Sequence, residues 1–261
     1  ILLILLAITT TICFYFCYKK SKGFSKSAVT FDNPLYDYLV LFTAILICTL
    51  IGYFQYNLNF QNSNYSIATL VSAVVSLGMA YYFDNKSVLV IGITALASFV
   101  GLSLNVMTVF ENDIFDDNRL IVAGLFFGVF LLVWQLFSEK KSVKVHFSFA
   151  ILTFALHLLA LSCFAGVFQD LYWVFYLLIL ACVVYFFYKK SIEYKAVSWY
   201  VFSLFYGYVG FNILIFRILD LIDIFQIFEF LTILTPFYVI GSIVLFIKMI
   251  KNFKKKTNDS E

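Results

Sequence analysis

The stretch "YYFDNKSVLVIG", residues 81–92, places Asp84, Asn85 and Lys86 between two long apolar runs. These polar residues are either a charged site inside a membrane or the turn between two membrane helices. The run before them begins near residue 65, and the run after them ends near residue 108. A hydrocarbon core about 30 Å thick requires roughly 20 apolar residues in a helix, so each run is long enough to cross it. The stretch therefore predicts a helical hairpin.

The composition of the whole chain points to the same class of protein. Of the 261 residues, 63% are hydrophobic and 13% are charged. A soluble domain averages roughly 45–50% apolar and about 25% charged residues. Because a soluble protein must cover its surface with polar side chains, this excess indicates a polytopic membrane protein.

Apolar runs of membrane-spanning length occur nine times along the chain. Each run is continuously apolar rather than alternating, and backbone groups in lipid must be satisfied within the segment, so helices are favoured over strands. We predict an all-α, polytopic transmembrane helix bundle forming a single domain over residues 1–250. Its spans are expected at about 1–18, 35–56, 65–83, 87–108, 119–137, 145–167, 170–188, 196–217 and 230–250, before a basic and polar tail at 251–261.

The basic residues predict the direction of the spans. Sixteen of the 18 Lys and Arg residues follow odd-numbered spans, and basic residues concentrate in cytoplasmic loops. The C-terminal tail and the turn at Asp84, Asn85 and Lys86 are therefore expected at the cytoplasmic surface. Within this turn we expect Asn85 to adopt a left-handed backbone and Asp84 to cap the following helix.

Ionisable groups at membrane depth are costly and suggest function. His157 lies near the centre of the sixth span, either as a proton relay or as a neutral side chain bonded to a neighbouring hydroxyl or carbonyl. No Asp or Glu lies at comparable depth in another span, which favours the neutral side chain. Arg217, at the outer end of the eighth span, would either hold an anionic substrate or snorkel towards Asp220. Pro236 in the ninth span either lines a cavity at a kink or belongs to ordinary packing.

Two pairs of similar stretches raise the possibility of an internal repeat. "YYFDNKSV" at 81–88 is similar to "YFFYKKSI" at 185–192, and "VGLSL" at 100–104 is similar to "VGFNI" at 209–213. A four-span duplication would place a site between spans four and eight, with Asn105 and Asn212 as candidate polar residues. Chance similarity in a chain rich in Phe, Tyr and Lys is the alternative.

Enzyme chemistry has little support in the sequence. The loops are too short for a soluble catalytic domain, and there is no HExxH motif and no pair of carboxylates at membrane depth. All five cysteines lie in apolar runs, where they act as small apolar side chains. We expect no catalytic residue, no cofactor and no metal site. The expected partners are membrane lipid and either another membrane protein or a second copy of the chain, not nucleic acid.

Three stretches resemble a known family: "NPLYDYLVLF" at 33–42, "YYFDNKSVLVIGITALASFVGL" at 81–102 and "YGYVG" at 206–210. They are similar to stretches of bacterial polytopic membrane proteins that carry a domain of unknown function. The likeness extends from about residue 33 onward. It implies a multi-pass protein of the bacterial inner (cytoplasmic) membrane with a longer N-terminal part, and it supplies no catalytic residue or cofactor.

Two functional classes fit these observations. The first is a non-enzymatic membrane protein that acts as a scaffold, a sensor or a partner subunit. The alternative is a transporter or channel for a small neutral or apolar solute. A water-filled cavity at the midplane, lined by polar groups of spans four, eight or nine, would favour transport. A solid apolar interior with a groove on one face would favour the first class.

Overall fold

A computed structural model describes residues 1–29, 33–57, 65–104, 118–169, 172–221 and 228–258. This part of the chain is built of nine long helices, each long and apolar enough to cross a membrane. They are α1 (Leu2–Lys20), α2 (Leu35–Asn57), α3 (Tyr65–Phe83), α4 (Lys86–Leu104), α5 (Asn118–Lys140), α6 (Ser148–Val167), α7 (Trp173–Glu193), α8 (Val197–Leu221) and α9 (Phe228–Asn258). The prediction of an all-α membrane protein with nine spans is confirmed.

Among the helix ends that differ from the predicted ones, three change the description of the sixth, seventh and ninth spans. A short 3-10 helix, Val145–Phe147, precedes α6 within the predicted sixth span. The helix α7 continues to Glu193, five residues beyond the predicted end. The helix α9 continues to Asn258, so most of the predicted polar tail is helical. Lysines near a helix C-terminus interact favourably with the helix dipole, which supports this extension.

The chain divides into two compact units, Ile1–Leu158 and Leu159–Glu261. In the first unit, α2 packs against α1, α3 and α4, while α4 also packs against α3 and α5. Small side chains on α3 lie in this core, because Ser72, Ser76 and Ala80 are all buried at four-residue spacing. Small residues let helix backbones approach closely in membranes.

In the second unit, α8 packs against both α7 and α9. The contact between α7 and α8 includes the buried rings of Phe187 and Trp199, whose centroids are 6.5 Å apart. The contact between α8 and α9 includes the stacked rings of Tyr200 and Phe253, at 4.1 Å. The unit therefore contains a hairpin of α7 and α8, and α9 packs against α8.

Candidate functional site

Asp84 lies at the centre of a buried cluster of ionisable side chains. Its Oδ1 atom is 2.8 Å from Lys144 Nζ and 2.6 Å from His146 Nε2. Its Oδ2 atom accepts a hydrogen bond from the backbone N–H of Val29. The side chains of Lys144 and Asp84 are 0% and 3% exposed, and that of His146 is 20% exposed. Buried charges are stable when they are paired, as Lys144 and Asp84 are here.

The turn between α3 and α4 holds the carboxylate in this position. Asp84 itself adopts the left-handed backbone, with φ of 60°. Asn85 caps α4, because its Oδ1 atom accepts a hydrogen bond from the N–H of Val88 at 3.0 Å. Its Nδ2 atom donates to the carbonyl of Asp37, also at 3.0 Å. The expected roles of Asp84 and Asn85 are therefore exchanged: the Asp84 carboxylate is committed to the charged cluster and is not used as a cap.

Lys144 is buried by the local structure of the connection between α5 and α6. Its backbone is left-handed, with φ of 51°, and the 3-10 helix begins at the next residue. Its N–H donates to the carbonyl of Lys26 at 2.7 Å. The ammonium group lies 5.7 Å from the ring centre of Phe24 and 5.9 Å from that of Phe147. Such cation–π contacts add to the ion pair and cover the charge.

Three connecting segments meet at this cluster. The segment after α1 contributes the carbonyl of Lys26 and the N–H of Val29, the α3–α4 turn contributes Asp84, and the α5–α6 connection contributes Lys144. All three segments follow odd-numbered helices. In a membrane protein such connections lie on one side of the bilayer, which is the side that the distribution of basic residues predicts to be cytoplasmic.

Asp84 is ionised near neutral pH. Burial opposes its ionisation, but the contact with Lys144, the hydrogen bond from Val29 and the proximity of His146 outweigh burial. Together they hold the pKa of Asp84 below its usual value. The cluster thus holds three connecting segments together through an ion pair and hydrogen bonds.

Polar and aromatic side chains of α3, α5 and α6 form the floor beneath the cluster. The ring of Tyr81 lies 5.4 Å from that of Phe147, and its hydroxyl accepts a hydrogen bond from Trp134 Nε1 at 3.1 Å. The fully buried Gln135 donates to the hydroxyl of Ser148. These contacts fix the connection between α5 and α6 against the α3–α4 hairpin.

The sequence prediction missed the cluster, although it singled out the turn. The predicted spans place Lys144 in the connection after the fifth span and His146 at the start of the sixth, while Asp84 is predicted at the cytoplasmic surface. A signal was available, because an acidic residue in one tight turn and a Lys–x–His sequence in another were both predicted on the same side. Their pairing across about 60 residues needs the packing of the helices, which that signal does not supply.

His157 lies in the middle of α6 and is half-buried. It lies between two buried neighbours on its own helix, Leu156 and Leu159. The choice between a relay and a neutral hydrogen-bonded histidine stays a prediction. Asn105 lies outside the described residues.

Asn212 joins α8 to α9 through a polar network. Its Nδ2 atom donates to the carbonyl of Tyr208 at 2.7 Å, and its Oδ1 atom accepts from the Tyr238 hydroxyl at 3.0 Å. Ser242 completes the network by donating to the Tyr208 hydroxyl at 3.1 Å. Pro236 lies two residues before Tyr238, inside α9 and exposed. The structure thus brings Asn212 and the Pro236 segment together at a helix contact.

Arg217 lies near the end of α8 and donates from Nη2 to the carbonyl of Val167 at 3.1 Å. Val167 is the last residue of α6, where carbonyl groups have no partner within the helix. A cation at this end is favourable because it opposes the negative end of the helix dipole. The contact gives Arg217 a structural role that neither sequence interpretation included.

A groove runs along the surface between α7 and α8. Its cavity volume is about 510 Å³. Leu180, Ser203 and Gly210 form a buried floor, and Tyr185 and Phe211 form an exposed rim. The lining is almost entirely apolar, which is typical of a surface that contacts acyl chains or an apolar helix.

No group of three or more His, Cys, Asp and Glu side chains within the described segments is arranged to hold a metal ion. The fold defines a multi-pass integral membrane protein. No family model, curated protein or solved structure matches the chain. Its function is therefore inferred from the geometry of the cluster, the polar network and the groove.

Proposed function

We propose that this chain is a non-enzymatic subunit of the bacterial cytoplasmic membrane that acts as a scaffold or sensor for a partner membrane protein. This proposal rests on one observation: polar side chains bond to one another between segments and between helices. Asp84 is paired with Lys144 and His146, and Asn212 is bonded to Tyr208 and Tyr238. These groups hold segments and helices together, which is the behaviour of a structural protein.

The same pairing weakens the alternative of a transporter or channel. Transporters gather polar side chains or unwound backbone around a substrate near the midplane. In the described part of α8 and α9, Asn212, Tyr208, Tyr238 and Ser242 satisfy one another across the helix contact. Polar side chains used in this way stabilise helix association by about 0.6 kcal/mol each on average.

The last helix offers a face for a partner. In the apolar 18-residue stretch within its segment Thr235–Thr257, 6% of residues are buried, compared with 56% in that of the span Val145–Val167. Phe237, Ile240 and Val244 are 71%, 61% and 59% exposed. They follow one another at spacings of three and four residues, so they share one side of the helix. An apolar partner helix fits such a face.

The bacterial cytoplasmic membrane is proposed from the sequence. Basic residues at the ends of odd-numbered helices favour the cytoplasmic side of an energised membrane. The resemblance of residues 33–42, 81–102 and 206–210 to bacterial polytopic proteins supports the same location. The basic end of α9, with Lys254, Lys255 and Lys256, would lie at the anionic inner leaflet.

A photo-crosslinking experiment tests the partner role. A photoreactive amino acid is placed at Ile240, on the exposed side of α9, and at Ser242 as the matched control that is bonded to Tyr208. We expect position 240 to give a stoichiometric crosslink to another membrane protein or a second copy, and position 242 to give little. A monomer in mild detergent with no crosslink from position 240 in cells would contradict the proposal. Solute flux through liposomes holding the purified chain would instead favour the transporter.

A further inference from the structure

The groove between α7 and α8 has a polar end and an apolar end. The two helices are consecutive and antiparallel, so the residues nearest their short connection lie at the same end. All three hydroxyl-bearing side chains of the lining, Tyr185, Tyr188 and Ser203, lie towards that connection. The opposite end is lined by apolar side chains, including Phe211 and Leu214. The groove therefore has the polarity of an amphiphile.

Ser203 provides an unused hydrogen-bond donor in the groove. The residue is 1% exposed, and its Oγ atom has no hydrogen-bond partner among the described residues. Other hydroxyls of the membrane helices bond to the carbonyl four residues before them, as Thr43 does with Leu39 at 2.7 Å. A buried hydroxyl without a partner is unfavourable by about 1–3 kcal/mol, so an acceptor from a ligand would stabilise it.

The polar end of the groove also carries a positive charge. Lys189 is exposed, and its Nζ atom lies 4.9 Å from the ring centre of the rim residue Tyr185. The cation therefore lies beside Tyr185, at the end of the groove that carries the hydroxyl groups. An anionic head group is the charge that complements this end.

The groove runs along the middle of α8. Ser203 and Leu214 are eleven residues apart, which corresponds to a rise of about 16 Å, and they lie six and seven residues from the two ends of the helix. A hydrocarbon core about 30 Å thick therefore contains the whole groove. An acyl chain that begins near Ser203 would pass the bilayer midplane before it reaches Leu214.

We propose that this groove binds one acyl chain of an anionic phospholipid. The phosphate lies at Lys189, the ester carbonyl accepts a hydrogen bond from Ser203, and the chain runs over Gly207 and Gly210. The small floor is required by close helix packing, since a Cβ atom at Gly210 would lie 2.7 Å from Leu180. Lipid tails are as apolar as the groove, so selectivity comes from the head group and the hydroxyl. The site does not depend on the proposed partner role of α9.

Native mass spectrometry of the full chain tests the head-group part of the proposal. The protein in mild detergent is mixed with equal amounts of dioleoyl phosphatidylglycerol and dioleoyl phosphatidylcholine, and the retained lipid is counted. We expect one phosphatidylglycerol to be retained preferentially. One lysine near an anionic head group contributes about 1 kcal/mol, so Lys189→Gln should lower the preference about fivefold. The matched variant Lys251→Gln should leave it unchanged. Equal retention of the two lipids by the unaltered protein would overturn the proposal.

Two further variants test the groove itself. Ala181 lines the groove from an exposed position, so Ala181→Phe fills it without entering a packed core. We expect a tenfold or larger loss of retained lipid, while Cys182→Phe, the exposed neighbour outside the lining, retains it. Ser203→Ala should reduce retention about fivefold without lowering the melting temperature, because the hydroxyl has no partner to lose. Unchanged retention in Ala181→Phe, or a protein helix crosslinked at position 181, would overturn the assignment.

Discussion

The substitution Asp84→Asn isolates the charge at the centre of the buried cluster. Asn is nearly isosteric with Asp and adopts a left-handed backbone readily, so the φ of 60° at this position is retained. What changes is the partner of Lys144, whose side chain is 0% exposed. The variant leaves a buried ammonium group without a carboxylate, while the turn and the cap of α4 by Asn85 stay in place.

The magnitude follows from the contact distance. At an effective dielectric constant of about 20, two unit charges 2.8 Å apart attract by about 6 kcal/mol. Desolvation of both groups offsets part of this attraction. Removing one member of a buried pair typically costs 3–5 kcal/mol, because the other charge is left uncompensated. We expect Asp84→Asn to lower the apparent free energy of unfolding by about that amount.

The assay is a titration with a denaturing detergent, followed by tryptophan fluorescence. Trp134 is a suitable reporter because its Nε1 atom donates to Tyr81, whose ring contacts Phe147 at the cluster. Acid gives a second readout. The pKa of Asp84 is lower in the folded protein than its unfolded value of about 3.9. The carboxylate therefore contributes stability above about pH 4, and this contribution is lost as pH falls through the folded pKa. Asp84→Asn should remove the part of the acid-induced loss of stability that comes from protonation of this carboxylate.

A double variant separates lost charge from lost packing. Asp84→Asn combined with Lys144→Met removes both charges, and we expect it to recover most of the stability, since buried ion pairs can often be replaced by apolar groups. Lys86→Met, in the same turn but exposed, is the matched control and should change stability by less than about 0.5 kcal/mol. If Asp84→Asn matches Lys86→Met, or the double variant is less stable than Asp84→Asn, the charged cluster does not stabilise the fold.

Three further substitutions test other parts of the structure by the same titration. Asn85→Ala removes the cap of Val88 and the donor to the Asp37 carbonyl, so we expect a loss of about 1–2 kcal/mol; a loss below about 0.3 kcal/mol would refute the capping role. Tyr238→Phe removes one hydrogen bond between α8 and α9 and should cost about 0.6 kcal/mol; no loss would show that the bond is not maintained in the membrane. His157→Leu should change stability by less than about 1 kcal/mol and leave cell growth unaltered, as expected for a neutral histidine; a growth defect in a stable variant would support the relay.

The helices were predictable because the length of an apolar run is a local property of the sequence. The third span was predicted at 65–83 and is observed at Tyr65–Phe83, and the second was predicted at 35–56 and ends at Asn57. Backbone hydrogen bonds must close within each segment in lipid, so an apolar run of this length has few alternatives to a helix. Local chemistry therefore suffices for this part of the fold.

The cluster was not predictable in the same way, because its members come from different connections. Turn chemistry allows either Asp84 or Asn85 to adopt the left-handed backbone, and either side chain to cap α4. Lys144 decides between them, because the Asp84 carboxylate pairs with its ammonium group and is not used to cap α4. The contact of Arg217 with the Val167 carbonyl could not be predicted either, because a hydrogen bond to a backbone carbonyl has no sequence signature.

The distance along the chain between Asp84 and Lys144 has a consequence for biosynthesis. About 60 residues separate the two, and a ribosome adding roughly 5–20 residues per second needs about 3–12 s to make them. The helix α4 is completed within this interval, so the α3–α4 hairpin is synthesised before Lys144 is available to pair with its carboxylate. The connection after α1 is likewise held at Lys26 only when the N–H of Lys144 arrives. Until the α5–α6 connection has been made, Lys144 cannot contact Asp84 or Lys26. A pause in translation before this connection would therefore prolong an intermediate that lacks these two contacts.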